Sequence, residues 1–336
     1  MPKIPDTQHD TGRKIFEWYE SKKDEHREHL GASLIGHACD RYLWMKFRWV
    51  ASPLLGGRIR RLFDTGKREE ARVFEELRAI GVELHTESDG GQIVCRDASG
   101  HFGGSIDGVG LGFPEGPKTW AILEIKTSNA KSFAAFKTKK VAEAKPQHYA
   151  QMMVYAGLMK MTRALYVAVN KDTDELYTEW VHFESGPYLK LLDRARQTVS
   201  RSTPADKISD DPTNWQCKMC DLHPVCHKKA PAEVNCRTCC HSTPVAKGKW
   251  HCSMFGKPLS VEDQHAACDS HLFIPNLVHA TPIDGGENYI QYKVYGPSRN
   301  TFINGPSHIV SKNLAKASKS KPTGPPIADF NDDIPF

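Results

Sequence analysis

The chain has no apolar run long enough to cross a bilayer, and its opening residues, Met1-Pro2-Lys3-Ile4-Pro5-Asp6, lack the apolar core of a secretion signal. No membrane partner is expected, and the expected compartment is the cytoplasm. No internal repeat is present, so one large domain with appendages, or two domains, is expected from 336 residues. Strong charge of one sign is absent too. Forty-five Lys and Arg against 40 Asp and Glu leave +5, which permits nucleic-acid binding without demanding it. Apolar residues make up 39%, enough for a core only if some segments lie outside it.

The shortage of apolar residues is sharpest beyond Trp215, where cysteine takes over. Eight of the ten cysteines fall between residues 217 and 268. In a reducing compartment these are read as metal ligands rather than disulfides. Such a segment needs a staple in place of a core.

Before Trp215 the pattern is that of a mixed α/β domain. Residues 12–30 and 66–80 read as amphipathic helices, the second ending at Gly81. Ser33 is a candidate cap for a helix containing Cys39 and Trp44. Strand-like runs follow at 92–96, 104–111 and 120–126, then a helix over 146–160. Residues 164–170 and 175–183 form a strand pair, and a helix covers 186–201. Further on, 289–295 and 301–304 suggest a hairpin. From 311 the chain is rich in Lys, Ser, Pro and Gly and reads as a flexible linker. The expected divisions are 1–230, a metal-stapled module at 231–278, a hairpin segment at 279–310, and a linker with tail at 311–336.

Two short motifs carry candidate chemistry. Asp107 sits in Gly103-Gly104-Ser105-Ile106-Asp107-Gly108-Val109, and Glu124 and Lys126 in Ile122-Leu123-Glu124-Ile125-Lys126. Residues two apart on a strand share a face, so Glu124 and Lys126 point together while Leu123 and Ile125 pack behind. A Glu beside a Lys on an otherwise apolar strand is costly in a core. It makes sense at a cleft holding Mg²⁺ or Mn²⁺, which carboxylate oxygens suit. Alone, Glu-Xaa-Lys also describes a surface ion pair, and Asp-Gly a turn.

This ordered set resembles the PD-(D/E)XK nuclease superfamily in its RecB-like exonuclease branch, over about residues 30–230. The resemblance implies a mixed central sheet flanked by helices and a metal-dependent deoxyribonuclease acting on DNA. It makes Asp107 and Glu124 metal ligands, with the backbone of Ile125 as a further one and Lys126 as the catalytic lysine. In Gly66-Lys67-Arg68-Glu69-Glu70 it points to Glu70 as another ligand, with Glu69 the nearest competitor. The family's Gln-x-x-x-Tyr appears as Gln151 and Tyr155, one helical turn apart on one face.

Cys217, Cys220 and Cys226 supply three close thiols, and Cys39 is the candidate fourth. One early and three late cysteines resemble the iron–sulfur RecB-like nucleases, including those of CRISPR adaptation, which implies a [4Fe–4S] cluster. Zn²⁺, with His223 or His227 replacing Cys39, is the alternative. Cys236, Cys239, Cys252 and Cys268 resemble a zinc ribbon, with Cys240 or a His as possible substitutes. Cys95, alone on a strand, reads as core.

The last eight residues, 329–336, read Asp-Phe-Asn-Asp-Asp-Ile-Pro-Phe. They resemble the C-terminal tip of bacterial single-stranded-DNA-binding protein. Ile334, Pro335 and Phe336 offer an apolar anchor with a carboxylate, and Asp332 and Asp333 favour a basic rim. The implied partners are host proteins that recognise that tip. The leading expectation is a phage or mobile-element exonuclease for recombination or DNA processing. The rivals are a weakly catalytic protein that diverts host repair, and a CRISPR-adaptation nuclease.

Overall fold

A computed structural model describes residues 10–22, 26–52, 55–295 and 300–317. The tip at 329–336 lies outside the described residues.

The amphipathic N-terminal stretch forms α1 (Asp10–Ser21), followed by the short strand β1 (Leu30–Gly31). Ser33 does not cap a long helix. It lies in a 3₁₀ turn over Ala32–Leu34, and α2 (Asp40–Phe47) starts only after Cys39. The next helix, α3 (Gly57–Ala79), begins nine residues before the expected start at 66 and stops before Gly81, whose φ of 91° ends it.

Five strands make the central sheet: β2 (Glu83–His85), β7 (Gly108–Leu111), β8 (Ala121–Ser128), β9 (Arg163–Asn170) and β10 (Leu176–His182). Their order is β10-β9-β8-β7-β2, with β8 and β9 parallel and the other neighbours antiparallel. The parallel step is bridged by α4 (Ala130–Ala144) and α5 (Pro146–Met159). Strand β8 is buried on both faces. Leu123 and Ile125 pack with Val73 of α3, while Ile122 packs with Met152 and Val154 of α5. Helix α6 (Ser185–Ser200) lies against α5.

Two expected strands are interrupted. Residues 92–96 divide into β4 (Gly91–Gln92), paired with β3 (Glu87–Ser88), and β5 (Val94–Arg96). Residues 104–111 divide at Ile106–Asp107 into β6 (Phe102–Ser105) and β7. Strand β6 belongs to a separate sheet, β1-β6-β5. Asp107 therefore stands at a seam between sheets.

The cysteine-rich part has short elements: α7 (Trp215–Lys218), α8 (His223–His227), the sheet of β11 (Ser242–Pro244), β12 (Trp250–Cys252) and β13 (Lys257–Leu259), and α9 (Val261–Ala266). Strands β14 (Ala280–Gly286), β15 (Tyr289–Val294) and β16 (Thr301–Asn304) extend the expected hairpin to three strands. The expected flexible linker begins instead with α10 (Ser311–Ala317). Buried Ser311 donates to His271 O at 2.7 Å, and Leu314 and Ala315 pack beside Trp44 and Phe273.

Candidate active site

The alternation of β8 sets the chemistry. Leu123 and Ile125 are held in the α3-side core, which turns Glu124 and Lys126 to the other face. Glu124 is fully buried; its Oε1 meets Lys126 Nζ at 2.5 Å as an ion pair, and its Oε2 has no partner. Asp107, at the seam between β6 and β7, accepts the Ile125 N–H through Oδ2 at 2.7 Å. That bond latches Asp107 beside Glu124. From α3, Glu70 joins Asp107, Ile125 and Lys126 around a cavity of about 380 Å³. Glu69 does not line it and pairs with Arg72 at 3.2 Å instead.

The three carboxyl groups disfavour ionisation together. Burial, then the charge of Asp107, pushes Glu70 up to about 7 against the pull of Lys126 and Lys67. Burial also raises Glu124 and Asp107, and Lys126 only partly offsets it. Burial pulls Lys126 down, but Glu124 and Asp107 outweigh it and hold the ammonium above its ordinary value.

On α5, Gln151 Nε2 donates to Tyr155 OH at 3.2 Å, and both residues line the cavity. Gln151 Oε1 is buried without a partner. Tyr155 leaves no room for a side chain on β6: a Cβ at Gly104 would sit 2.5 Å from its hydroxyl.

Sequence reasoning assigned no role to several lining residues. His148 is buried, with Nδ1 2.8 Å from Tyr166 OH; burial, with Lys126 and Lys145 beside it, holds it neutral. Arg27, Lys67, Lys145 and Lys171 give the rim a basic character, while burial and the nearby arginines pull His29 down to about 3 and leave it neutral. They come from four separate stretches, so no spacing announced them.

Among the described residues no three His, Cys, Asp or Glu side chains already stand arranged to hold a metal ion. The donors at the cavity nevertheless fit a divalent cation. A buried carboxylate oxygen of Glu124 lacks a partner, and Glu70 and Asp107, whose charges reach Glu124, line the cavity with Lys126. Buried charges in this state call for a compensating cation.

The structure also gathers the thiols into two groups. Cys39, at the start of α2, lines one cavity of about 30 Å³ with Cys217, Cys220 and Cys226, and with His223 and His227. Burial raises the three late thiols, and each feels the charge of Cys39. A smaller cavity of about 10 Å³ is lined by Cys236, Cys239, Cys252 and Cys268, with His241 and His271. Cys240 is exposed and outside it. Each cavity gathers four thiols, though among the described residues no three of them already stand arranged to hold a metal ion. Cys95 is buried on β5.

The model of the PD-(D/E)XK nuclease superfamily matches residues 14–227. Among solved structures, SSO0001 is similar at 14% identity and a TM-score of 0.40, over 65% of this chain and 94% of that one. The alkaline exonuclease LHK-Exo from Laribacter hongkongensis is similar at 13% identity and a TM-score of 0.37, over 55% of this chain and 90% of that one. Its complex with dAMP covers the same shares at 14% identity and a TM-score of 0.36. No curated protein matches the sequence.

Proposed function

The chain belongs to the PD-(D/E)XK nuclease superfamily, and on that premise we propose that it is a DNA exonuclease dependent on Mg²⁺ or Mn²⁺. The observation that carries this reading is the unpartnered Oε2 of buried Glu124, facing the same problem of burial as Asp107 and Glu70. Asp107, Glu124 and Glu70 would hold the cation, with Ile125 as a backbone neighbour. Bound there, the cation would polarise the scissile phosphate and lower the pKa of a water.

The chain's own groups do the rest. Lys126 enters as an ammonium, so it orients a water or a phosphate oxygen by donating hydrogen bonds rather than by taking a proton. The Ile125 N–H holds Asp107 in one orientation. Gln151 and Tyr155 present one amide oxygen and one hydroxyl to the strand end. The basic rim of Arg27, Lys67 and Lys171 favours a polyanion.

At the larger thiol cavity the proposed occupant is a [4Fe–4S] cluster, with Zn²⁺ as the alternative. It would tie α2 to the segment after Trp215. At the smaller cavity the proposed occupant is Zn²⁺. The tail at 329–336 supports, from sequence alone, a phage-type role in recombination, in which Phe336 docks on host proteins that bind the single-stranded-DNA-binding-protein tip. A free peptide of the last eight residues should then compete for such a protein.

The direct test is digestion of end-labelled single- and double-stranded DNA with Mg²⁺, Mn²⁺ or EDTA. Release of mononucleotides or short products from an end, abolished by EDTA, supports the reading. Intact DNA under every metal condition contradicts it.

A further inference from the structure

The smaller thiol cavity is joined to the catalytic strand by a continuous set of contacts. Cys252 and Trp250 lie two apart on β12, and Trp250 is fully buried in the same core as Phe102 of β6. Its ring stands edge-on to His101 at 5.9 Å, and the guanidiniums of Arg237 and Arg48 lie over it at 4.6 and 5.0 Å.

The turn between β11 and β12 presses on the turn between β5 and β6. His101 Nε2 lies 2.7 Å from Val245 O, and the Gly248 N–H donates to Ser99 O at 2.8 Å. The two backbones touch: a Cβ on Gly100 would fall 2.5 Å from Gly248 N. Gly100 and Gly248 both have positive φ, 77° and 70°, so the joint is built for glycine on each side. Six residues beyond His101 stands Asp107.

We propose that one Zn²⁺ held by Cys236, Cys239, Cys252 and Cys268 fixes this joint and thereby positions Asp107 for its own metal. The four thiols line one small cavity, and the sheet β11-β12-β13 beside it has only three residues in each strand. The ligand set stands by itself; its effect on Asp107 rests on the nuclease reading above.

The test uses the full-length protein. Zinc content is measured by mass spectrometry in wild type, Cys252→Ser, Cys240→Ser and Gly248→Val, and Mn²⁺ binding is titrated calorimetrically in each. About one zinc is expected in wild type and Cys240→Ser, and a large loss in Cys252→Ser. Gly248→Val should keep its zinc yet bind Mn²⁺ about tenfold more weakly, because only the joint is disturbed. Cleavage should fall in parallel and recover in part with excess Mn²⁺. Absence of zinc from wild type, or its loss in Cys240→Ser but not Cys252→Ser, overturns the site. Unchanged Mn²⁺ binding in zinc-free Cys252→Ser and in Gly248→Val overturns the coupling. If wild type binds both metals but cuts no DNA, the nuclease reading fails and the zinc site stands.

Discussion

The catalytic cavity and the two thiol cavities pose the same electrostatic problem and solve it differently. Each collects groups that resist ionisation when buried. Glu124 rests on a sheet strand packed on both faces, with Lys126 2.5 Å away as a resident cation, and Asp107 is tied to the same strand through the Ile125 N–H. Apart from Cys39, which precedes the eight-residue α2, the thiols lie on or beside elements of three to six residues, and no lysine or arginine lines the smaller cavity. The first site should therefore keep its shape without an added metal, and the thiol sites should not. A buried apolar side chain on the sheet stabilises by about 1.5–3 kcal/mol, and the cysteine segment has few of them.

Removing a carboxylate or the lysine should have the largest effect. Asp107→Ala, Glu124→Ala and Lys126→Ala should each lower cleavage by more than about a hundredfold while the melting temperature changes little. Retained cleavage in the first two would remove them from the site.

Cys39→Ala should act the other way, on stability before chemistry. A drop in melting temperature of roughly 5 °C or more corresponds to about 2 kcal/mol for a domain of this size. Anaerobically purified wild type should be brown and the variant bleached. Colourless wild type holding two zinc ions would replace the cluster with zinc.

The acids also make a pH prediction. Glu70 binds its proton more tightly folded, near 7, than unfolded, near 4.5. The metal-free protein should lose stability as pH rises from about 4.5 to about 7, and regain it on acidification. A divalent cation replaces that proton, so the rise in melting temperature on adding Mg²⁺ should grow from pH 5 to pH 8. An increment independent of pH would place the metal away from these acids. The smallest effect is expected from Tyr155→Phe. It removes one hydrogen bond of about 1 kcal/mol, or about a fivefold loss of rate.

The sequence made some of this legible and hid the rest for identifiable reasons. The alternation of Ile122 to Lys126 and the one-turn spacing of Gln151 and Tyr155 are local periodicities, readable without a fold. The seam at Asp107 was hidden because Gly103-Gly104 and Val109–Leu111 look like one strand, although they pair with different partners. Helix α10 was masked by its Lys- and Ser-rich composition; its stability comes from Leu314, Ala315 and Ser311 meeting a distant core. The rim residues Arg27, His29 and Lys171 meet only through tertiary folding. The docking of β12 against the catalytic half, through Trp250 and Arg237, was equally invisible, since composition there suggested a detached module.

Asp107, Glu124 and Glu70 should together hold the cation used for cleavage. Calorimetric titration of Mn²⁺ into wild type and Glu124→Gln, at pH 7 in two buffers of different ionisation enthalpy, tests it most directly. Binding in wild type should release protons, because Glu70 and its neighbours are partly protonated before the metal arrives. In Glu124→Gln the affinity should fall by about tenfold or more, and the proton release should shrink. Equal affinity and equal proton release in the two proteins would contradict the account.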